Sequence, residues 1–190
     1  MAGDPLDDDY SEQRLRNEPL VEVTQVKGTS ETHPLLSPND EWANFEIAPY
    51  RVATKLYSEP AGGYVRDAYL RGLQIQAGGV LNPYKFGLVG STDSHTGLAT
   101  AEEENFFGKH SGGEPEGDRW SHAMVKFGEN QIPNWQISAS GYCGVWATDN
   151  TREALWDAMM RKEVYATTGS RIGLRFFGGW DFAEGDAGSR

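Results

Sequence analysis

Residues 85–97 read KFGLVGSTDSHTG, and within them Asp93 and His95 are the side chains best placed to do chemistry. The apolar run 86–89 stops at Gly90, and a carboxylate and an imidazole follow at once. That is the pattern of a buried strand opening into a polar loop, where α/β enzymes place their ligands. Two residues apart on extended backbone, the two side chains point the same way and can converge on one spot. A hard anionic oxygen beside a borderline nitrogen suits zinc, manganese or iron. A catalytic zinc takes three protein groups, so a metal centre here needs ligands from elsewhere. A bare Asp-x-His also arises as a turn aspartate beside a surface histidine; the preceding strand is what favours ligation. The other histidines, His33, His110 and His122, have no ligand spacing and are expected on loops or the surface.

Two further segments offer groups for the same rim. Residues 23–31, VTQVKGTSE, form a strand running into a Gly-containing loop, which would bring Gln25, Lys27 and Glu31 towards Asp93. Lys27 suits an anionic substrate, being a compact charge with three donors, although a solvated lysine beside a turn accounts for it equally well. Residues 167–171, TTGSR, supply hydroxyls, backbone amides and the Arg171 guanidinium, the groups that hold an oxyanion; a plain turn is the alternative. There is no GxSxG elbow, no phosphate-binding P-loop and no dinucleotide fingerprint. Cys143, in an apolar strand, reads as a small core residue, and the pairs Phe106-Phe107 and Phe176-Phe177 read as packing.

These residues must be positioned by one ordinary domain, since 190 residues suffice for a real core and 6 Trp, 8 Tyr and 8 Phe argue against disorder. The net charge of -11 disfavours nucleic acid as a partner. One cysteine excludes an intrachain disulfide, and no apolar run or export signal points to a membrane. A small anionic substrate is the expected partner; oligomeric state and compartment stay open. Along the chain, residues 1–17 read as a polar arm or short helix and 20–26 as a strand closed by Gly28. Residues 37–40 could cap a short helix holding Trp42 and Phe45. Residues 64–76 form a helix with Val65, Ala68, Tyr69, Leu73 and Gln76 on one stripe, ended by Gly78-Gly79. Residues 111–118 are an acidic, turn-rich excursion. A strand at 143–148 leads to a helix at 151–162 with Asn150 and Glu153 as its capping pair, and strands follow at 164–167 and 172–177. This order predicts α/β architecture, and the 143–167 stretch predicts a right-handed βαβ unit with its two strands parallel.

Five blocks carry a resemblance, in this order: VEVTQVKGTSE, NPYKFGLVGSTDSH, EEENFFGK, NTREALWDAMMRKEVYATTGSRI and FFGGWDF. Together they resemble the bacterial family known as domain of unknown function 3604, from Arg14 to Phe182. That family is similar to the PHP (polymerase and histidinol phosphatase) metal-dependent phosphoesterases. The resemblance implies a distorted (β/α) barrel with a multinuclear centre of divalent metal at the carboxyl ends of its strands. Asp93 and His95 match the closing Asp-x-His motif, whose two side chains reach different metals. The opening His-x-His motif of that pattern does not occur in this chain. The expectation is therefore the C-terminal portion of a PHP-like catalytic domain: part of a hydrolase, foremost a phosphoesterase, and inactive alone. Hydrolysis of a sulfate ester or amide, or a metal-free scaffold, are the alternatives.

Overall fold

The computed structural model describes residues 5–26, 28–45, 47–51, 54, 56–95, 97, 117–133 and 141–188. The polar N-terminal segment is a docked helix, α1 (Asp8–Asn17). The Asp7 carboxylate accepts from the Tyr10 N–H at 2.9 Å and caps it, with acidic residues in its first turn and arginines in its last, as the helix dipole favours. Ser11 is fully buried, Asp8 accepts from the Leu81 N–H at 2.7 Å, and the Arg14 guanidinium lies 4.9 Å from the Tyr84 ring centroid.

The β-branched run becomes β1 (Leu20–Gln25), which turns tightly into β2 (Gly28–Thr29) and pairs with it antiparallel. Gly28 has φ 118, a conformation open to glycine and strained for other residues. The helix expected near residue 64 is α2 (Val65–Ala77), and it leads to β3 (Gly87–Gly90). β3 pairs parallel with β1, giving sheet order β2-β1-β3, with a register shift between Glu22 and Thr24. Val65 of α2 meets Val23 and Phe86 in the core, with Val21, Ala68, Tyr69, Tyr84 and Leu88 packed around them. The Tyr69 hydroxyl donates to the Phe86 carbonyl at 2.8 Å. Leu73 and Gln76, expected on the stripe, are instead exposed. Gly72 takes the buried position because a Cβ there would meet Asn82 Oδ1 at 2.2 Å, and side chains at 65, 68 and 69 complete that face. Residues 41–45 are turns, not a helix; the Asp40 carboxylate accepts from the Trp42 N–H at 2.9 Å.

Beyond β3 come an antiparallel pair, β4 (Ala123–Phe127) and β5 (Asn130–Pro133), then β6 (Tyr142–Val145), α3 (Arg152–Met160) and β7 (Val164–Thr167). The right-handed βαβ expectation fails here: β6 and β7 pair antiparallel, Tyr142 opposite Thr167 and Val145 opposite Val164. After α3 the chain reverses at once through Lys162, which has φ 64, and the Glu163 N–H donates to the Ala158 carbonyl at 2.9 Å. The Trp146 N–H donates to the Glu163 carbonyl at 2.9 Å and closes a long-looped hairpin in which α3 is the loop. The parallel pairing expected of an α/β chain lies instead between β1 and β3. Among the described residues the strands form three small sheets, none of them closed into a barrel.

The cap of α3 is Thr151 and not Asn150: its Oγ1 accepts from the Ala154 N–H at 3.2 Å, while the Asn150 N–H turns to Asp149. Thr151→Ala should cost about 1 kcal/mol, read as a lower midpoint in urea at unchanged slope; Asn150→Ala should cost much less. The strand expected at 172–177 does not form. The Tyr165 hydroxyl takes the Ile172 carbonyl at 2.7 Å and the Trp146 indole takes the Leu174 carbonyl at 2.8 Å, so side chains hold acceptors that a ladder would use.

Candidate functional site

The site loop leaves β3 at Gly90 and is anchored on three sides within one residue. The Ser91 N–H donates to the Thr24 carbonyl at 3.0 Å, and the Ser91 carbonyl accepts from the Gly141 N–H at 2.8 Å. The Ser91 hydroxyl donates to Glu22 Oε2 at 2.8 Å. Glycine is required here by close approach: a Cβ on Gly90 would lie 2.8 Å from the Tyr142 carbonyl oxygen and 2.9 Å from that of Thr167. The β6–β7 hairpin therefore sits directly against the end of β3.

Two residues on, the chain turns sharply. Thr92 Oγ1 accepts from the Ser94 N–H at 3.3 Å, and Asp93 has φ 50, in the left-handed region that aspartate tolerates better than most residues. His95 Nε2 lies 2.9 Å from Asp93 Oδ1; the Asp93 side chain is 14% exposed and the His95 side chain 55%. The carboxylate is thus the more buried member of the pair and the imidazole the more exposed. As expected from their spacing, the two side chains come together past the carboxyl end of β3. The local bend, more than the alternation of an extended strand, achieves it.

Gln25 stands at the end of β1 and its amide donates to Glu22 Oε1, so it joins the same network one strand over. Lys27, Phe106, Phe107 and His110, the EEENFFGK block, and residues 111–116 of the acidic excursion lie outside the described residues. Arg171 follows β7, exposed, with Nη2 3.4 Å from the Tyr142 hydroxyl and Cζ 5.2 Å from the Tyr142 ring centroid. It borders an open cavity of about 460 Å³ that Tyr142, Tyr165, Thr167 and Ser170 also line. Gly141 N–H joins that cavity's edge to Ser91, so the Asp93 loop and the Arg171 turn share one end of the sheets. Cys143 also lines the cavity, and burial pushes its thiol above the ordinary value, away from a nucleophilic thiolate. His33 accepts from the Leu35 N–H at 3.1 Å and His122 lies 3.1 Å from Asp118, so both serve local turns. Glu31 pairs with Arg66 on the side of α2.

Sequence reasoning passed over Glu22 and Ser91. A lone carboxylate in the run LVEVTQV, on the strand that pairs with β3, was the available signal. Among the described residues, no group of three His, Cys, Asp or Glu converges as a metal cage, and no helix is long and apolar enough to cross a membrane.

No curated protein and no solved structure matches the chain. A family match covers residues 1–190, described as Protein of unknown function (DUF3604). The match spans every block from VEVTQV to FFGGWDF, and the chain belongs to the DUF3604 family.

Proposed function

We propose that this chain supplies Asp93 and His95 to a divalent-metal centre of a hydrolase that cleaves small anionic esters, foremost phosphoesters. The observation that carries the reading is the Asp93–His95 pair, 2.9 Å apart, on a tightly anchored loop at the end of a parallel strand. One carboxylate and one imidazole are a fitting donor set for zinc, manganese or iron. They would be two ligands of a larger set, the remainder of which a complete PHP-like barrel would bring there. Such a cluster supplies a water of lowered pKa and a clamp on ester oxygens. Asp93, the more buried of the two, would give the anionic ligand, and His95 the imidazole nitrogen. Arg171, bordering the adjacent cavity, would hold the ester's anionic oxygens by its planar fork. Gln25 and Lys27 would extend the polar rim on the β1 side.

The test is metal titration of the 190-residue chain with Mn²⁺, Zn²⁺ and Fe²⁺. With an incomplete ligand set the chain should bind weakly, hold substoichiometric metal after dialysis and show no metal-stimulated cleavage of p-nitrophenyl phosphate. Binding that is indifferent to Asp93→Ala would sink the reading. Stoichiometric metal with robust turnover would show that this chain completes its own site. In a protein that carries the complete ligand set, Arg171→Lys should lower kcat/KM by about ten- to a hundredfold, as expected for loss of one charge-assisted bond. A rise in KM alone would mean equal contact in ground and transition states, and a fall in kcat contact only in the latter. Unchanged kinetics would make Arg171 an ordinary turn residue.

A further inference from the structure

We infer that Glu22 is a positioning residue of the site, acting through Ser91 on the loop that carries Asp93 and His95. The register shift in β1 falls between Glu22 and Thr24, which pair with Val89 and Gly90 at the end of β3. Past that point Ser91 becomes the joint between three elements. Its N–H is bound to the Thr24 carbonyl, its carbonyl to Gly141 ahead of β6, and its hydroxyl to the Glu22 carboxylate. The backbone bonds fix where the loop starts. The hydroxyl bond, with Gln25 holding the other oxygen of the same carboxylate, fixes the rotamer of Ser91. Asp93 lies two residues further on with φ 50, a conformation that the surrounding structure has to impose. A carboxylate accepting two neutral donors is a firm anchor for that purpose, because its bonds are charge-assisted. Ligand-orienting groups of this kind usually shape metal affinity without touching the ion. The role in ligation rests on the metal-hydrolase reading above; the anchoring itself does not.

The experiment compares Glu22→Ala, Glu22→Gln and Ser91→Ala by amide hydrogen exchange in the metal-free chain and by Mn²⁺ affinity. Glu22 is exposed, so its replacements should fold. Glu22→Ala and Ser91→Ala should each speed exchange of the Ser91 and Gly141 amides by about three- to tenfold, with the amides of α2 unchanged. Each should also weaken Mn²⁺ binding by about ten- to a hundredfold. Glu22→Gln should fall between wild type and Glu22→Ala in both, because its amide oxygen still accepts from Ser91 while the charge and the acceptor for the Gln25 amide are lost. Unchanged exchange in Glu22→Ala overturns the anchoring, and full Mn²⁺ affinity in that variant overturns the role in ligation. Loss of Mn²⁺ in Glu22→Gln with exchange still protected would make Glu22 a direct ligand and overturn the inference as well. Accelerated exchange in Glu22→Ala, alongside a wild-type chain that binds no Mn²⁺, would uphold the anchor while removing the metal-hydrolase reading.

Discussion

Asp93→Gly is expected to remove metal binding and, at the same time, to leave the metal-free protein more stable than Asp93→Ala does. The two effects separate because Asp93 carries two independent burdens. Its carboxylate is the less exposed half of the Asp93–His95 pair, and its backbone sits at φ 50. Loss of a ligand itself should weaken binding by more than the roughly ten- to hundredfold typical of residues that merely orient ligands. Left-handed backbone costs a residue with a Cβ about 1–2 kcal/mol, and glycine escapes that cost. Asp93→Ala should lose the metal equally but pay the backbone cost without the local hydrogen bonding that lets aspartate tolerate the region. The expected order of metal-free stability is therefore glycine above alanine at position 93. Calorimetric titration with Mn²⁺ and thermal unfolding of both variants check it. Wild-type affinity in either variant would show that Asp93 is no ligand, and an alanine variant as stable as the glycine one would show that the turn is unstrained.

Gly90→Ala should destabilise the chain by about 1–3 kcal/mol, the usual range for forcing extra volume into close-packed surroundings. A Cβ at Gly90 meets two carbonyl oxygens of the backbone, on Tyr142 and Thr167, and the Thr24 methyl at 3.0 Å. Backbone cannot swing aside as a long side chain would, so the β6–β7 hairpin must back away from β3. Ser91 follows directly, and its bond to Gly141 spans the same gap. Metal affinity should fall with stability, since the Asp93 loop starts at that joint. For a chain of this size the melting midpoint should drop by about 2–12 °C. Gly173→Ala is the control, because a Cβ there meets nothing within 4 Å; its midpoint should scarcely move. Equal behaviour of the two variants would mean that the hairpin does not bear on β3 as described.

Much of the local structure was written into the sequence because it depends on short-range physics. The β-branched run at 20–25, the apolar faces of 65–77 and 152–160, and the strand ending at Gly90 are set by side-chain periodicity and by glycine as a stop. The approach of His95 to Asp93 was legible for the same reason, since two residues of loop leave little room to diverge. Leu73 and Thr151 mark the margin of that kind of reading: a stripe is one residue wide, and a cap moves by one position when Oγ1 finds a nearer amide.

What only the tertiary structure decided is which elements meet. Periodicity is blind to strand direction, so the sequence could not show that β6 pairs antiparallel with β7 while β1 takes the parallel partner. The reversal at Lys162 depends on one left-handed residue that carries no glycine to announce it. Nor could it show that residues 172–177 would surrender their carbonyls to Tyr165 and Trp146. The Glu22–Ser91 bond joins residues 69 positions apart, and Gly90 is a glycine because a hairpin more than fifty residues later lies against it. Contacts across such distances come from packing the whole chain. The sequence thus determined which groups could act at the site, and the tertiary structure decided what holds them there.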